Sequence, residues 1–211
     1  QVNALVDELG VDVASVTNLG ITSAGADEES DDRLRERIKL APESFSVAGS
    51  RLAYRHHAMS AHQSIVDVAV LSPTPGVVRL YPLTSTGLPS TAILDAVAAI
   101  CSHEKVRPLS DTVEVLAPVE TAYTLTAQLT VYRSYDAATV LANAQAQATA
   151  FVATQSAALG RDIVPVQVES ALKVAGVYDI VRTAPAKIVL AENEWARCTG
   201  INLVVTGTVD G

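Results

Sequence analysis

Apolar and polar positions along this 211-residue chain repeat with more than one period, and the period names the element. Tyr123, Leu125, Ala127, Leu129 and Val131 alternate with Thr and Gln, which predicts a half-exposed strand. Ile65, Val66, Val68, Val70 and Leu71 predict a second strand, and Val77-Val78-Arg79-Leu80-Tyr81 a third. Ser72-Pro73-Thr74-Pro75-Gly76 between them has turn composition, so the pair reads as a hairpin. Ile93, Leu94, Val97 and Ile100 fall on one helical face behind Ser90 as a candidate N-cap. Val140, Ala144, Ala148, Phe151 and Val152 do the same behind Asp136, with Gly160 as a natural stop. A short helix is expected over Pro165–Val174, with Val168 and Leu172 inward, and further strands over Thr112–Leu116, Val177–Arg182, Ile188–Leu190 and Ile201–Val205.

The start of the chain reads differently. Val11, Val13 and Val16, punctuated by Gly10, Asn18, Gly20 and Gly25, suggest a β-rich or irregular stretch. Residues 26–40 predict a helix with acids first and bases last, which suits the helix dipole. Glu29–Arg33 and Asp31–Arg35 are spaced as i,i+4 ion pairs. Leu34, Ile38 and Ala41 form a narrow apolar stripe, and Pro42 stops the helix. A second helix is expected over Ala48–His62, with Leu52, Met59 and several alanines as candidate buried positions. The order of elements predicts an α+β protein: an N-terminal helical segment followed by two small α+β units with mixed or antiparallel sheets. The divisions are 1–25, the end of a preceding β-rich region; 26–63, helical; 64–119, β-β-α-β; and 120–211, β-α-α-β-β. The break between the units is expected near residues 118–122. Ile65-Val66-Asp67-Val68 and Val177-Tyr178-Asp179-Ile180, each behind a helix, hint at a shared helix-then-strand unit.

Composition narrows the function classes. Hydrophobic residues are 49% and charged residues 18% of the chain, which argues against general disorder. A formal net charge of −8 carries no basic signature for nucleic acid, and 4% aromatics provide no stacking platform. No apolar run is long enough for a membrane helix. The chain begins at Gln1, so the expectation is a fragment or processed piece of something longer.

Chemistry-bearing residues are few. The run Asp27–Asp32 could supply paired carboxylates, but it lacks the glycine of a calcium loop and reads more simply as a solvated helix start. His56, His57 and His62 are spaced by one, five and six, which does not put metal ligands on one helical face. Cys101 and Cys198 form no metal or disulfide pattern, and both read as buried thiols. Arg51, Arg55 and Arg107 are single cations. A hydrolase or metal-dependent enzyme built on Asp27–Asp32 or on His56, His57 and His62 is the alternative to a structural role.

Ordered segments add a resemblance. Ala26-Asp27-Glu28-Glu29-Ser30-Asp31-Asp32-Arg33-Leu34-Arg35-Glu36-Arg37-Ile38, Leu40-Ala41-Pro42-Glu43-Ser44-Phe45-Ser46-Val47-Ala48-Gly49 and Tyr54-Arg55-His56-His57-Ala58 resemble segments of the baseplate J-like family. So do Ser72-Pro73-Thr74-Pro75-Gly76-Val77-Val78, Val106-Arg107-Pro108-Leu109-Ser110-Asp111, Leu159-Gly160-Arg161-Asp162 and Ala196-Arg197-Cys198. The family pattern commonly has Gly at positions 24 and 44 and Pro at 50, where this chain has Ala24, Ser44 and Ser50.

The resemblance implies a structural component of a contractile phage or prophage tail baseplate, a wedge scaffold. It implies no active site, cofactor or metal. The implied partners are other wedge subunits, through self-association, a small gp25-like sheath initiator and tail-fibre connector proteins, with no nucleic acid and no membrane insertion. The implied location is the virion tail baseplate, made and assembled in the bacterial cytoplasm. Candidate interface or hinge residues are Pro42, Phe45, Gly49, Pro73, Pro75, Gly76, Arg107 and Pro108. Edge strands near Val77–Tyr81 and Ile201–Val205 are candidates for pairing across subunits.

Overall fold

The computed structural model describes residues 31–42 and 49–210. The expected β-rich start, the acids Asp27–Glu29 and the candidate Phe45 lie outside the described residues.

Helix α1 (Asp31–Leu40) has Asp31 and Asp32 in its first turn and Arg37 and Lys39 in its last. Arg35 pairs with Asp31 at 3.5 Å, as the i,i+4 spacing predicts, and more closely with Asp32 at 2.8 Å. Helix α2 (Arg51–Ala61) is capped by Ser50, whose side chain accepts from the Ala53 amide at 3.1 Å. The two helices meet through a guanidinium rather than a stripe. Arg33 donates to the carbonyls of Met59 (2.6 Å), His62 (2.9 Å) and Ile65 (3.0 Å), where α2 ends and the next strand begins. The expected stripe is not buried: Leu34 is 40% and Ile38 62% exposed, whereas Leu40 is buried. Leu52, also expected inside, is 48% exposed, whereas Met59, Ala53 and Ala58 are buried as expected, together with Tyr54.

The first sheet has the order β1-β2-β3. Strands β1 (Ile65–Thr74) and β2 (Val77–Thr84) form the expected antiparallel hairpin. Helix α3 (Thr91–Cys101) then crosses over and returns the chain as β3 (Thr112–Val115), parallel to β2. Strand β2 is therefore central, which corrects the expectation of a free edge at Val77–Tyr81. Tyr54, Ala58 and Met59 from α2 close a core with Ile65, Val68, Leu80, Val97 and Cys101.

The second sheet has the order β5-β4-β6. Strand β4 (Val119–Tyr132) is central, antiparallel to β5 (Val177–Ala184) and parallel to β6 (Glu194–Val209). All five alternating apolar residues of β4 are buried. They face α4 (Ala137–Ser156), which brings Val140, Ala144 and Ala148, and α5 (Pro165–Leu172), which brings Val168 and Leu172. Asp136 caps α4 by accepting from the Thr139 amide at 2.8 Å.

Three details differ from the sequence reading. Helix α4 stops at Ser156, before Gly160. Ile188 makes a single bridge to Ile163 rather than starting a strand. Strand β6 is far longer than Ile201–Val205, because it pairs with β4 from Glu194 to Val209 through Thr and Gly positions that carry no apolar signal. The α+β class with mixed sheets holds. The echoed segments do open β1 and β5, but Asp67 is buried and Asp179 is exposed, so the likeness stops at the backbone.

Candidate functional site

Four of the eight sequence-nominated residues meet at one end of the first sheet. Gly49 precedes the cap of α2 with φ +71°, and a Cβ there would stand 2.7 Å from Pro108 Cγ and 2.9 Å from Asp111 Oδ2. Gly76 closes the β1–β2 turn with φ +78°, where a Cβ would stand 3.1 Å from the Ser110 carbonyl, and its own carbonyl accepts from the Thr112 amide at 2.7 Å. Arg107 donates to the carbonyls of Ser102 and Asp111, both at 2.9 Å, which fixes the loop that carries Pro108. Pro73 and Pro75 are exposed on the adjoining turn, and Pro42 is exposed after α1.

Two residues outside the eight tie this cluster inward: Asp111, at the end of the candidate loop 106–111, and Tyr54, which sequence reasoning missed as a site residue. The Tyr54 hydroxyl donates to Asp111 Oδ2 at 3.0 Å, and the Ser110 hydroxyl reaches Asp111 Oδ1 at 3.3 Å. Burial and the neighbouring Asp111 carboxylate push the Tyr54 phenol up, so it stays a donor at neutral pH. Leu109 stands fully out on this pinned loop.

The crowding at Gly49 makes a prediction. Gly49→Ala combines a left-handed φ with a clash against the Pro108 ring and the Asp111 carboxylate and is expected to lower stability by about 1–2 kcal/mol. Gly200→Ala, with nothing within 4 Å of its Cβ, is expected to lose none. Urea unfolding of the two variants side by side measures the difference.

A second set of contacts lies where the two units meet. Asp67, at the start of β1, is 8% exposed although charged. It pairs with Arg55 at 2.8 Å and accepts from the amides of Val68 and Leu159, both at 2.8 Å. Leu159 belongs to the loop between α4 and α5. A cleft of about 320 Å³ opens beside it, lined by Arg51, Leu52, Arg55, Asp67, Leu159 and Glu192 among others. The lone Trp195 donates its indole N–H to the Ser156 carbonyl at 2.9 Å and presents its ring to Gly87. The available signal for Asp67 was an acid set inside an apolar strand run, since a carboxylate at an inward position requires partners.

Among the described residues, those of the enzyme alternative do not converge. Asp31 and Asp32 are exposed and engaged with Arg35. The rings of His56 and His57 meet edge to face at 5.3 Å, while His62 is turned to the Ser64 hydroxyl at 2.8 Å. Burial lowers the affinity of both His56 and His57 for a proton, and at His56 the His57 and Arg37 charges act in the same direction. Among the described residues no group of three or more His, Cys, Asp or Glu side chains could hold a metal ion. Cys101 is fully buried and its thiol is pushed up to about 12 by that burial, so it is a packing group rather than a nucleophile. Cys198, expected to be buried, is half-buried and lies 3.3 Å from the Gly200 carbonyl.

A tandem of two small α+β units, each a mixed three-stranded sheet with helices on one side, is what two family descriptions divide between them. Residues 46–117 match the Baseplate J-like central domain, and residues 123–204 match the Baseplate J-like protein C-terminal domain. The chain belongs to the Baseplate J-like family. Baseplate protein J of Escherichia phage P2 is 35% identical to it over 183 residues, which is 85% of this chain and 60% of that protein. A chain in the cryo-EM structure of the anti-feeding prophage baseplate, 6-fold symmetrised, shares the fold with a TM-score of 0.52 at 14% identity. That match covers 82% of this chain and 42% of the other. The chain thus spans less than two thirds of the length of either protein.

Proposed function

We propose that this chain is a structural part of a contractile tail baseplate, in a phage, a prophage or a related injection particle. The observation that carries the reading is its likeness to the phage P2 baseplate protein along 85% of its own length. It acts without catalysis, by joining neighbouring wedge subunits, among them further copies of its own kind, a gp25-like sheath initiator and tail-fibre connectors. Its place is the virion tail baseplate, reached by assembly in the bacterial cytoplasm.

In this reading the helical segment 26–63 leads into two units, 64–119 and 120–211, that serve as separate modules of the wedge. The loops bearing Pro42, Phe45, Gly49, Pro73, Pro75, Gly76, Arg107 and Pro108 form the contact surface. The cross-linking of Gly49, Gly76, Arg107 and Pro108 into one block supports contact over hinging, since a preorganised loop loses little entropy on docking. No arrangement of Asp31, Asp32, His56, His57 and His62 favours the hydrolase reading.

Immunogold electron microscopy of particles from the source strain, with an antibody against this chain, tests the proposal. Label at the baseplate end of the tail is the expected result. Particles with unlabelled tail ends, from cells that make the chain, would overturn it.

A further inference from the structure

We propose that the two units are clasped into one rigid body, with Asp67 as the positioning residue, so that the chain turns as a single lever and does not bend at the short link 116–118. This goes beyond the baseplate reading and stands on the seam alone.

The two sides of the seam are each internally fixed. On the first unit, the turn after β2 is closed by Thr84 N–H to Gly87 O (2.9 Å), Gly87 N–H to Thr84 O (3.0 Å) and the Thr84 hydroxyl to Gly87 O (2.8 Å). On the second unit, the loop after α4 is bound to the segment before β6. Gly160 N–H donates to Glu194 O at 2.9 Å and Leu190 N–H to Asp162 Oδ1 at 2.9 Å, while the segment before β6 is closed on itself by Ala191 N–H to Glu194 Oε2 at 2.8 Å. Ile163 and Ile188 bridge the same two segments.

These two blocks are joined at separate places. At the first, Asp67 divides its oxygens: Oδ1 serves its own unit, through Arg55 and the Val68 amide, and Oδ2 serves the other, through the Leu159 amide. At the second, the Trp195 ring lies so close to Gly87 that a Cβ there would stand 2.9 Å from Cη2. The ring is held from behind by its indole N–H on Ser156 O. The covalent link is a third attachment, and its end is also tied down: Pro118 is buried and Val119 N–H donates to Asn193 O at 3.0 Å. Attachments at three places leave no free rotation between the units.

An apolar contact would hold the seam as well as a buried carboxylate does. What the carboxylate adds is direction, because its oxygens accept only from donors placed in line.

The test is a distance measurement with spin labels on exposed helix positions of the two units, Asp95→Cys on α3 and Gln147→Cys on α4, in a Cys198→Ser background. The unaltered seam is expected to give one narrow distance distribution. Asp67→Ala is expected to broaden it and to speed hydrogen exchange at the Leu159 amide by about tenfold to a hundredfold, with the Leu129 amide unchanged. Asp67→Asn, which keeps an acceptor for Leu159, is expected to restore the narrow distribution. Should Asp67→Ala unfold the first unit, Trp195→Ala reads the same seam from its other attachment. A broad distribution with the seam intact, or one that stays narrow in an Asp67→Ala, Trp195→Ala double variant, overturns the proposal. Unlabelled tails in the microscopy experiment would leave these outcomes untouched.

Discussion

Leu129→Ala is expected to remove about 3–4 kcal/mol of stability, the range for emptying a fully enclosed leucine site. Leu129 is 0% exposed on the central strand of the second sheet, paired on one side with Ile180 and on the other with Val205. Strands on both flanks and α4 above restrict collapse into the space, so the cavity term adds to the lost transfer energy. Val181→Ala is the control. It removes a larger-than-alanine side chain from β5 of the same sheet, but from a position that is 52% exposed, and is expected to lose no more than about 0.5 kcal/mol. Urea unfolding followed by circular dichroism measures both, and equal losses would show that the helices do not cover the Leu129 face. The slope of the transition should stay constant, since neither change alters the surface exposed on unfolding.

Arg33→Ala is expected to lower stability by about 2–3 kcal/mol, which is large for a residue outside the apolar core. The guanidinium satisfies Met59 and His62 carbonyls at the C-terminal end of α2 and the first carbonyl of β1. The Met59 carbonyl lies in the last turn, where helix carbonyls run out of internal partners, and a cation there also meets the negative end of the helix dipole, while the His62 carbonyl accepts from the Ile65 amide as well, at 3.2 Å. Arg33→Lys is not expected to rescue, because one ammonium cannot reproduce a planar fork that reaches three acceptors from Nε and Nη2. Arg35→Ala sets the scale. Its partners Asp31 and Asp32 are exposed, and the expected loss is about 0.5 kcal/mol or less. Thermal unfolding of the three variants orders them, and an Arg33→Ala midpoint equal to that of Arg35→Ala would refute the capping role.

The contrast between these arginines also shows where the sequence could be read. Arg35 was legible: its partners are three and four residues away, and helical geometry brings them together wherever the helix sits. Arg33 has the same local spacing to acids but works on carbonyls far along the chain, a contact that no local pattern encodes. The same holds for the stripe of Leu34 and Ile38. Their spacing does place them on one face, yet the packing turns Leu40 and Arg33 toward α2 instead.

The candidate site divides in the same manner. Gly49, Gly76, Arg107 and Pro108 stand out through ordered segments of family resemblance, and their roles as close-approach and loop-fixing residues follow from positive φ and from the tight packing of Pro108. Tyr54 and Asp111 join the cluster through a side-chain bond across 57 residues of sequence. Asp67 was visible as an acid in an apolar run, but its partner Leu159 was not, because a backbone amide carries no sequence signature.

By itself the sequence determined most of the elements and the facing of β4 and α4. Alternation in β4, helical spacing in α3 and α4, the Pro- and Gly-marked hairpin and the Asp136 cap all arise from interactions within a few residues, so period and turn chemistry specify them. Tertiary structure alone decided the strand order, which makes β2 central by bringing β3 in parallel across α3. It also decided the reach of β6, drawn out along β4 by backbone pairing that Thr and Gly support as well as Val. And it decided the seam of Asp67, Leu159, Gly87 and Trp195. Each of these depends on groups brought together from distant parts of the chain, and backbone donors and acceptors, identical in every residue but proline, leave the choice of partner to the packing of the whole.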